Sequence, residues 1–229
     1  VAYMSEIDPL WQDDELASLL NPEAALFTSV IAQAACSADC ISASARLPMD
    51  ELFWCSGCQG SMYPMNGNVG ANIGNHTVFF SKVCGASEVY AFEPQRVAFD
   101  ILKKNIEING IEGVRSFNCA IGANEQRLSL VRFTQTNMGG SQFEPSAQGK
   151  YKCISLDSLD IPKLDFIKID IEGSQSAALK NAKQTLTKLK PTMMVEVRED
   201  EESAFSAIED LGYVLEEKLS KTDYIYKAK

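Results

Sequence analysis

Three groups of residues in this sequence are of types and spacings that could do chemistry. The first is the run Asn68-Val69-Gly70-Ala71-Asn72-Ile73-Gly74, whose glycines let backbone approach a ligand that a Cβ would hold off. The second is Glu93, about twenty residues further on at the end of an apolar stretch, where a carboxylate can accept both hydroxyls of a ribose. Alone, the glycine run reads as a tight strand-to-helix connection; with Glu93 at that distance it points to a nucleoside pocket. The third is Phe166-Ile-Lys-Ile-Asp-Ile-Glu-Gly173. Lys168 and Asp170 alternate with Ile167 and Ile169, so the charged pair shares one face of a strand. Charges in an apolar strand are costly unless partnered. Two readings stay open: a reactive site with Asp170 and Glu172 as base and orienting acid, or a structural Lys–Asp ion pair. His76 is the sole histidine and follows the glycines closely. It is either a base reaching the same pocket or a surface or structural residue.

Holding these groups together requires alternating strands and helices. The spacing predicts a helix over Asn72–Cys84 with Val78, Phe79 and Val83 inward, then a strand over Glu88–Phe92. A helix over Val97–Ile108 should turn Val97, Ile101, Leu102 and Ile108 inward and Lys103 and Lys104 outward. Strands follow at Val114–Asn118, Leu128–Phe133 and Lys152–Leu156, the last two separated by a polar loop carrying Gly139, Gly140 and Ser141. A buried strand at Phe166–Asp170 precedes a helix over Ala177–Leu189. A strand at Met193–Val197, a helix over Glu201–Leu211 and a hairpin of Tyr213–Glu217 with Tyr224–Lys227 complete the chain. The fold class expected is α/β, a doubly wound, mostly parallel sheet that binds ligands beyond the carboxyl ends of its strands. The segment feeding the turn, residues 63–67, is polar and contains Pro64 and Gly67, poor residues for a central strand.

Residues 1–60 have another texture, with Pro9, Pro22 and Pro48 between short helical pieces around Leu16, Leu19, Leu20 and Ala24–Ala35. The expected organisation is an N-terminal helical, cysteine-containing extension over 1–60 and a main domain over 61–229. Cys36, Cys40, Cys55 and Cys58 could be disulfides, a Cys₄ zinc site or free thiols, with a redox Cys55-x-x-Cys58 a further alternative. Cys84, Cys119 and Cys153 lie among apolar neighbours, as core thiols do. Lys and Arg total 21 against 31 Asp and Glu, a net charge of −10, which argues against a nucleic-acid phosphate footprint or a polybasic membrane patch. No apolar run approaches the length of a membrane span. The start at Val1 without a signal-peptide pattern reads as a processed chain, in the cytoplasm or in an organelle after removal of a targeting segment.

Several ordered blocks resemble the FkbM family of S-adenosylmethionine (SAM)-dependent methyltransferases. They are Val69-Gly-Ala-Asn-Ile-Gly74, Ala91-Phe-Glu-Pro94, Asn105-Ile-Glu-Ile-Asn109, Leu156-Asp157, Phe166-Ile-Lys-Ile-Asp-Ile-Glu-Gly173 and Pro191-Thr-Met-Met-Val-Glu196. The resemblance implies a class I, Rossmann-like methyltransferase that binds SAM and methylates a hydroxyl of a small molecule or glycan. It implies that Gly70, Ala71, Asn72 and Gly74 line the methionine part of SAM, that Asn68 and Thr77 belong to the same cofactor site, Thr77 opening the helix beside the turn, and that Glu93 holds the ribose. Asn118 and Ala120 would sit near the adenine, Asp170 would face the sulfonium, and Asp170, Glu172 and Lys168 would carry the chemistry. Asn68 stands where the family has Asp, and Gln175 where it commonly has Glu. A catalytically inactive, methyltransferase-like structural or interaction subunit of a larger assembly is the alternative. Acceptor recognition is expected from the 1–60 extension and the 134–150 loop.

Overall fold

The computed structural model describes residues 65–123, 125–132 and 138–229. The expected 1–60 extension, with its four cysteines, lies outside the described residues.

Parallel strands β1 (Met65–Val69) and β2 (Glu88–Phe92) are joined by helix α1 (Asn75–Lys82). Helix α2 (Arg96–Ile108) leads to β3 (Val114–Phe117). Four short strands come next: β4 (Ala120–Ile121), β5 (Gln126–Arg132), β6 (Gln142–Pro145) and β7 (Tyr151–Ile154). The chain then returns to the main sheet through β8 (Phe166–Ile169), helices α3 (Gln175–Lys180) and α4 (Lys183–Leu189), and β9 (Thr192–Glu196). Helix α5 (Glu202–Asp210) and the antiparallel pair β10 (Tyr213–Lys218) and β11 (Asp223–Ala228) close it. The main sheet runs β10-β11-β9-β8-β1-β2-β3, parallel from β9 to β3. After β3 the chain crosses back to pair β8 with β1, so the switch in strand order falls between β1 and β8.

The polar segment before the turn is the centre of this sheet. Met65–Val69 pairs on one side with β2 and on the other with β8, and all but its first residue are buried. Gly67 suits the place because a Cβ there would stand 3.0 Å from Ile167 Cγ1. Asn68 is buried and its Nδ2 donates to Thr77 Oγ1 at 2.9 Å, while Asn66 Oδ1 and Asn68 Oδ1 have no partner. Backbone bonding on both edges compensates for side chains that the interior does not favour.

Several expected inward faces are rotated, and each rotation has a polar cause. In α1 the buried residues are Thr77 and Phe80, and Val83, past the last turn, is exposed. Thr77 is drawn inward by its bond from Asn68, and Phe80 packs edge-on to Phe166. In α2 the inward face is Ala98, Phe99, Leu102 and Asn105, while Ile108 is 60% exposed. Asn105 turns in because its Nδ2 donates to the Ile73 carbonyl at 2.8 Å, pinning the glycine turn. The single helix expected over 177–189 is two. Asp157 caps the second, accepting Gln184 N at 2.9 Å and Thr185 N at 2.8 Å.

The expected strands near 128–133 and 152–156 do not extend the main sheet. They are β5 and β7 of a separate four-stranded sheet, ordered β4-β7-β5-β6. Its position above the strand ends makes it one wall of the site. Cys119 and Cys153 are buried, unbridged thiols, as core cysteines should be.

Candidate active site

Beyond the carboxyl ends of β1, β2, β8 and β9 lies a cavity of about 330 Å³. Its floor is the turn Gly70–Ile73 and the residues that follow the strands; Gly122, Gly139, Ser141, Phe143 and Pro145 form the facing wall. Gly70 sits at φ 81 against β8: a Cβ there would lie 1.8 Å from the Asp170 carbonyl oxygen. Only glycine combines that handedness with that approach. Asn72 and Glu172 also hold left-handed backbone, φ 49 in each, and both line the cavity. Non-glycine residues in this region cost free energy and gather at functional sites.

Glu93 is 4% exposed and bridges two backbone segments. Its Oε2 accepts Asn72 N at 2.9 Å and its Oε1 accepts Gln95 N at 2.8 Å. A carboxylate has about four lone-pair sites, so each oxygen keeps one for a ligand hydroxyl. Burial pushes its pKa up to about 7, against the two backbone donors that favour the ionised form.

The Lys168–Asp170 pair is closed: Lys168 Nζ stands 2.6 Å from Asp170 Oδ2. Lys168 is buried, yet Asp170 and the further carboxyls of Glu196 and Asp223 outweigh burial and raise its pKa. Asp170 is held low, at about 2; burial opposes this, but the Lys168 charge and a side-chain hydrogen bond with Glu196 prevail. Asp170 is thus an anion at the cavity floor. Glu172 is shifted upward by burial and by Asp170, with Arg198 opposing. His76 also faces the cavity, but burial and then Lys168 lower its pKa to about 3, so it is a neutral imidazole.

Of the residues singled out in the sequence, Gly70, Ala71, Asn72, Glu93, Ala120, Lys168, Asp170 and Glu172 come together around this cavity. Asn68, Gly74, Thr77 and Asn118 lie outside its lining and act behind it. Asn68 and Thr77 bond each other. Gly74, at φ 94, clears Leu102, whose Cδ1 would be 2.4 Å from a Cβ. Asn118 Nδ2 donates to the carbonyls of Glu93 at 2.9 Å and Pro94 at 3.1 Å, fixing the loop that carries Glu93. Gln175, at the start of α3, spans to β9 through a 2.7 Å bond to the Glu196 carbonyl.

Glu196 is the residue that sequence reasoning missed. It ends β9 and lines the cavity beside Asp170. The signal was present: Glu93, Asp170 and Glu196 each close an apolar strand, and parallel strands deliver such residues to one edge.

A family model described as the methyltransferase FkbM domain matches residues 68–225. A second, described as the TraU protein, matches residues 1–84 and overlaps the first over the turn and α1. Protein TraU of Escherichia coli strain K12 is 58% identical over 67 residues, 29% of this chain and 20% of that protein. Methyltransferase 1 of Beauveria bassiana strain ARSEF 2860 is 21% identical over 177 residues, 65% of this chain and 71% of the relative. Among solved structures, a methyltransferase FkbM from Methylobacillus flagellatus KT shares the fold with a TM-score of 0.51 at 18% identity. That match covers 72% of this chain and 43% of the other. The chain therefore spans a fifth of the TraU protein and less than half of the Methylobacillus chain.

Proposed function

The chain belongs to the FkbM methyltransferase domain family, and we propose that it binds SAM and transfers its methyl group to a hydroxyl of a small molecule or glycan. The observation that carries this reading is the convergence of Glu93, Asp170 and Glu196 from three strand ends on one cavity against the Gly70 turn.

The residues present fit the cofactor. Gly70 lets the turn close against the end of β8 and line the cavity floor, and Glu93 keeps a free lone pair on each oxygen for the ribose hydroxyls. Asn72 Oδ1 is buried without a partner at the cavity floor, an acceptor suited to an ammonium group. Bound SAM supplies a methyl activated by positive sulfur, so the protein's task is to orient an acceptor oxygen and take up its proton. Asp170, kept ionised by Lys168, can accept a hydrogen bond from that hydroxyl; Glu172 stands beside it as the orienting acid. Four carboxyl groups against one buried lysine disfavour a polyanionic acceptor and suit an uncharged one. Ser141 and, from the second sheet, Phe143 and Pro145 line the wall facing these groups.

Calorimetric titration with SAM and with S-adenosylhomocysteine tests the reading. Both ligands should bind the folded chain, and absence of binding by either, with the melt intact, would sink it.

A further inference from the structure

Glu196 and Asp170 are brought side by side by parallel pairing. Val195 is the register partner of Ile169, so the residues that follow each leave adjacent strands at the same level. Both line the cavity, so two carboxyl groups stand side by side at its floor. Two ionised carboxylates in adjacent positions repel and offer only acceptor atoms, so a proton on one is favoured and lets it donate to the other. Lys168 Nζ, at 2.6 Å, favours the ionised form of Asp170, which leaves the proton on Glu196. The trio Lys168, Asp170 and Glu196 then carries no net charge.

The other groups around Glu196 push the same way. Asp223 of β11 is its register partner on the opposite side, a like charge that disfavours a second carboxylate. Thr222 Oγ1 donates a long hydrogen bond to Glu196 Oε1 at 3.4 Å. His76 of α1, near Lys168 and Asp170, is neutral and adds no charge. In keeping with this, Glu196 is shifted up to about 9, by its bond with Asp170 first and by burial next.

We infer that Glu196 is the proton-exchanging member of the site: it releases its proton when a sulfonium cofactor enters beside Asp170, and the Asp170–Glu196 pair takes the acceptor's proton during transfer. The inference rests on the cofactor reading above. A positive sulfur near the pair stabilises a second carboxylate, which the empty trio does not tolerate. As the acceptor oxygen forms its bond to the methyl carbon, the carbon–sulfur bond breaks and its electron pair stays on sulfur. The hydroxyl proton passes to the pair, which regains its single proton as the positive charge disappears. Charge at the cavity floor is thus balanced before and after the step.

The test is proton release on binding, measured calorimetrically for SAM and for S-adenosylhomocysteine in two buffers of different ionisation enthalpy. Because both ligands carry the ribose that Glu93 would hold, the difference is diagnostic: the native chain should release about one proton more with SAM than with the neutral thioether. Glu196→Gln, which can still donate to Asp170 but cannot ionise, should bind SAM without this excess release. Equal release for both ligands, or unchanged release in Glu196→Gln, overturns the inference while leaving the cofactor reading standing. No binding of either ligand overturns that reading and this one with it. Should the variant fail to fold, the native chain decides: a protonated-carboxyl infrared band must be present at about pH 8, above the Glu93 transition and below that of Glu196. It must be lost on SAM binding but not on S-adenosylhomocysteine binding; its persistence with SAM overturns the inference.

Discussion

Glu93 performs two jobs with one carboxylate, and this makes its substitution informative. It closes the glycine turn through Asn72 N and anchors the following loop through Gln95 N. Its remaining lone pairs face the cavity. Charge-assisted hydrogen bonds contribute roughly 1.5–3 kcal/mol each. Glu93→Ala should therefore weaken SAM binding by about a hundredfold or more in a calorimetric titration; unchanged affinity would mean the ribose lies elsewhere. The same residue should tilt stability with pH. Its pKa rises from 4.5 to about 7 on folding, so the folded chain holds the proton more tightly. That contribution is full below pH 4.5 and is lost as pH climbs through 7, a change of about 3 kcal/mol. Asp170 works in the opposite sense: lowered from 3.8 to about 2, it stabilises above 3.8 and loses that effect as pH falls towards 2. Melting temperature should accordingly decline from mildly acid to neutral pH in the native chain, and decline less in Glu93→Gln.

At the scale of elements, β1 is the anomaly. A central strand of a parallel sheet is ordinarily a run of branched apolar residues, whereas this one carries Asn66 and Asn68 with unpaired side-chain oxygens. An unsatisfied buried polar atom costs about 1–3 kcal/mol. Asn66→Val should therefore raise the midpoint of chemical denaturation; a lower midpoint would show that the amide has a partner in solution. Helix α4 shows the converse dependence, a short element stabilised from outside. Asp157 accepts two of its first backbone donors. Asp157→Ala should cost about 1 kcal/mol in denaturant unfolding and leave cofactor affinity unchanged. These cases also mark the limits of periodicity. Strand β2 is legible because every residue from Val89 to Phe92 is apolar and buried. The inward faces of α1 and α2 are not, because Thr77 accepts a hydrogen bond from Asn68 and Asn105 donates one to the Ile73 carbonyl, both outside their own helices.

At the scale of the whole molecule, two similarities meet at the first strand of the sheet: TraU over residues 1–84 and the FkbM domain over 68–225. Strand β1 lies across the start of the second match and holds β2 and β8 together. Removal of residues 1–69 should abolish cooperative thermal unfolding, whereas removal of 1–61 should preserve it together with SAM binding. Equal melts for the two truncations would show that β1 is dispensable. The family, the doubly wound class and most of the acids at the site were readable from sequence alone, because Gly70, Glu93 and Asp170 sit in short blocks whose chemistry is local. Tertiary structure alone decided three things. It seated a polar strand at the centre, where backbone pairing on both edges outweighs unfavourable side chains. It raised β4–β7 into a second sheet that walls the cavity. It also set Glu196 against Asp170, a contact between residues 26 positions apart that depends on two strands lying in register, which no local pattern encodes.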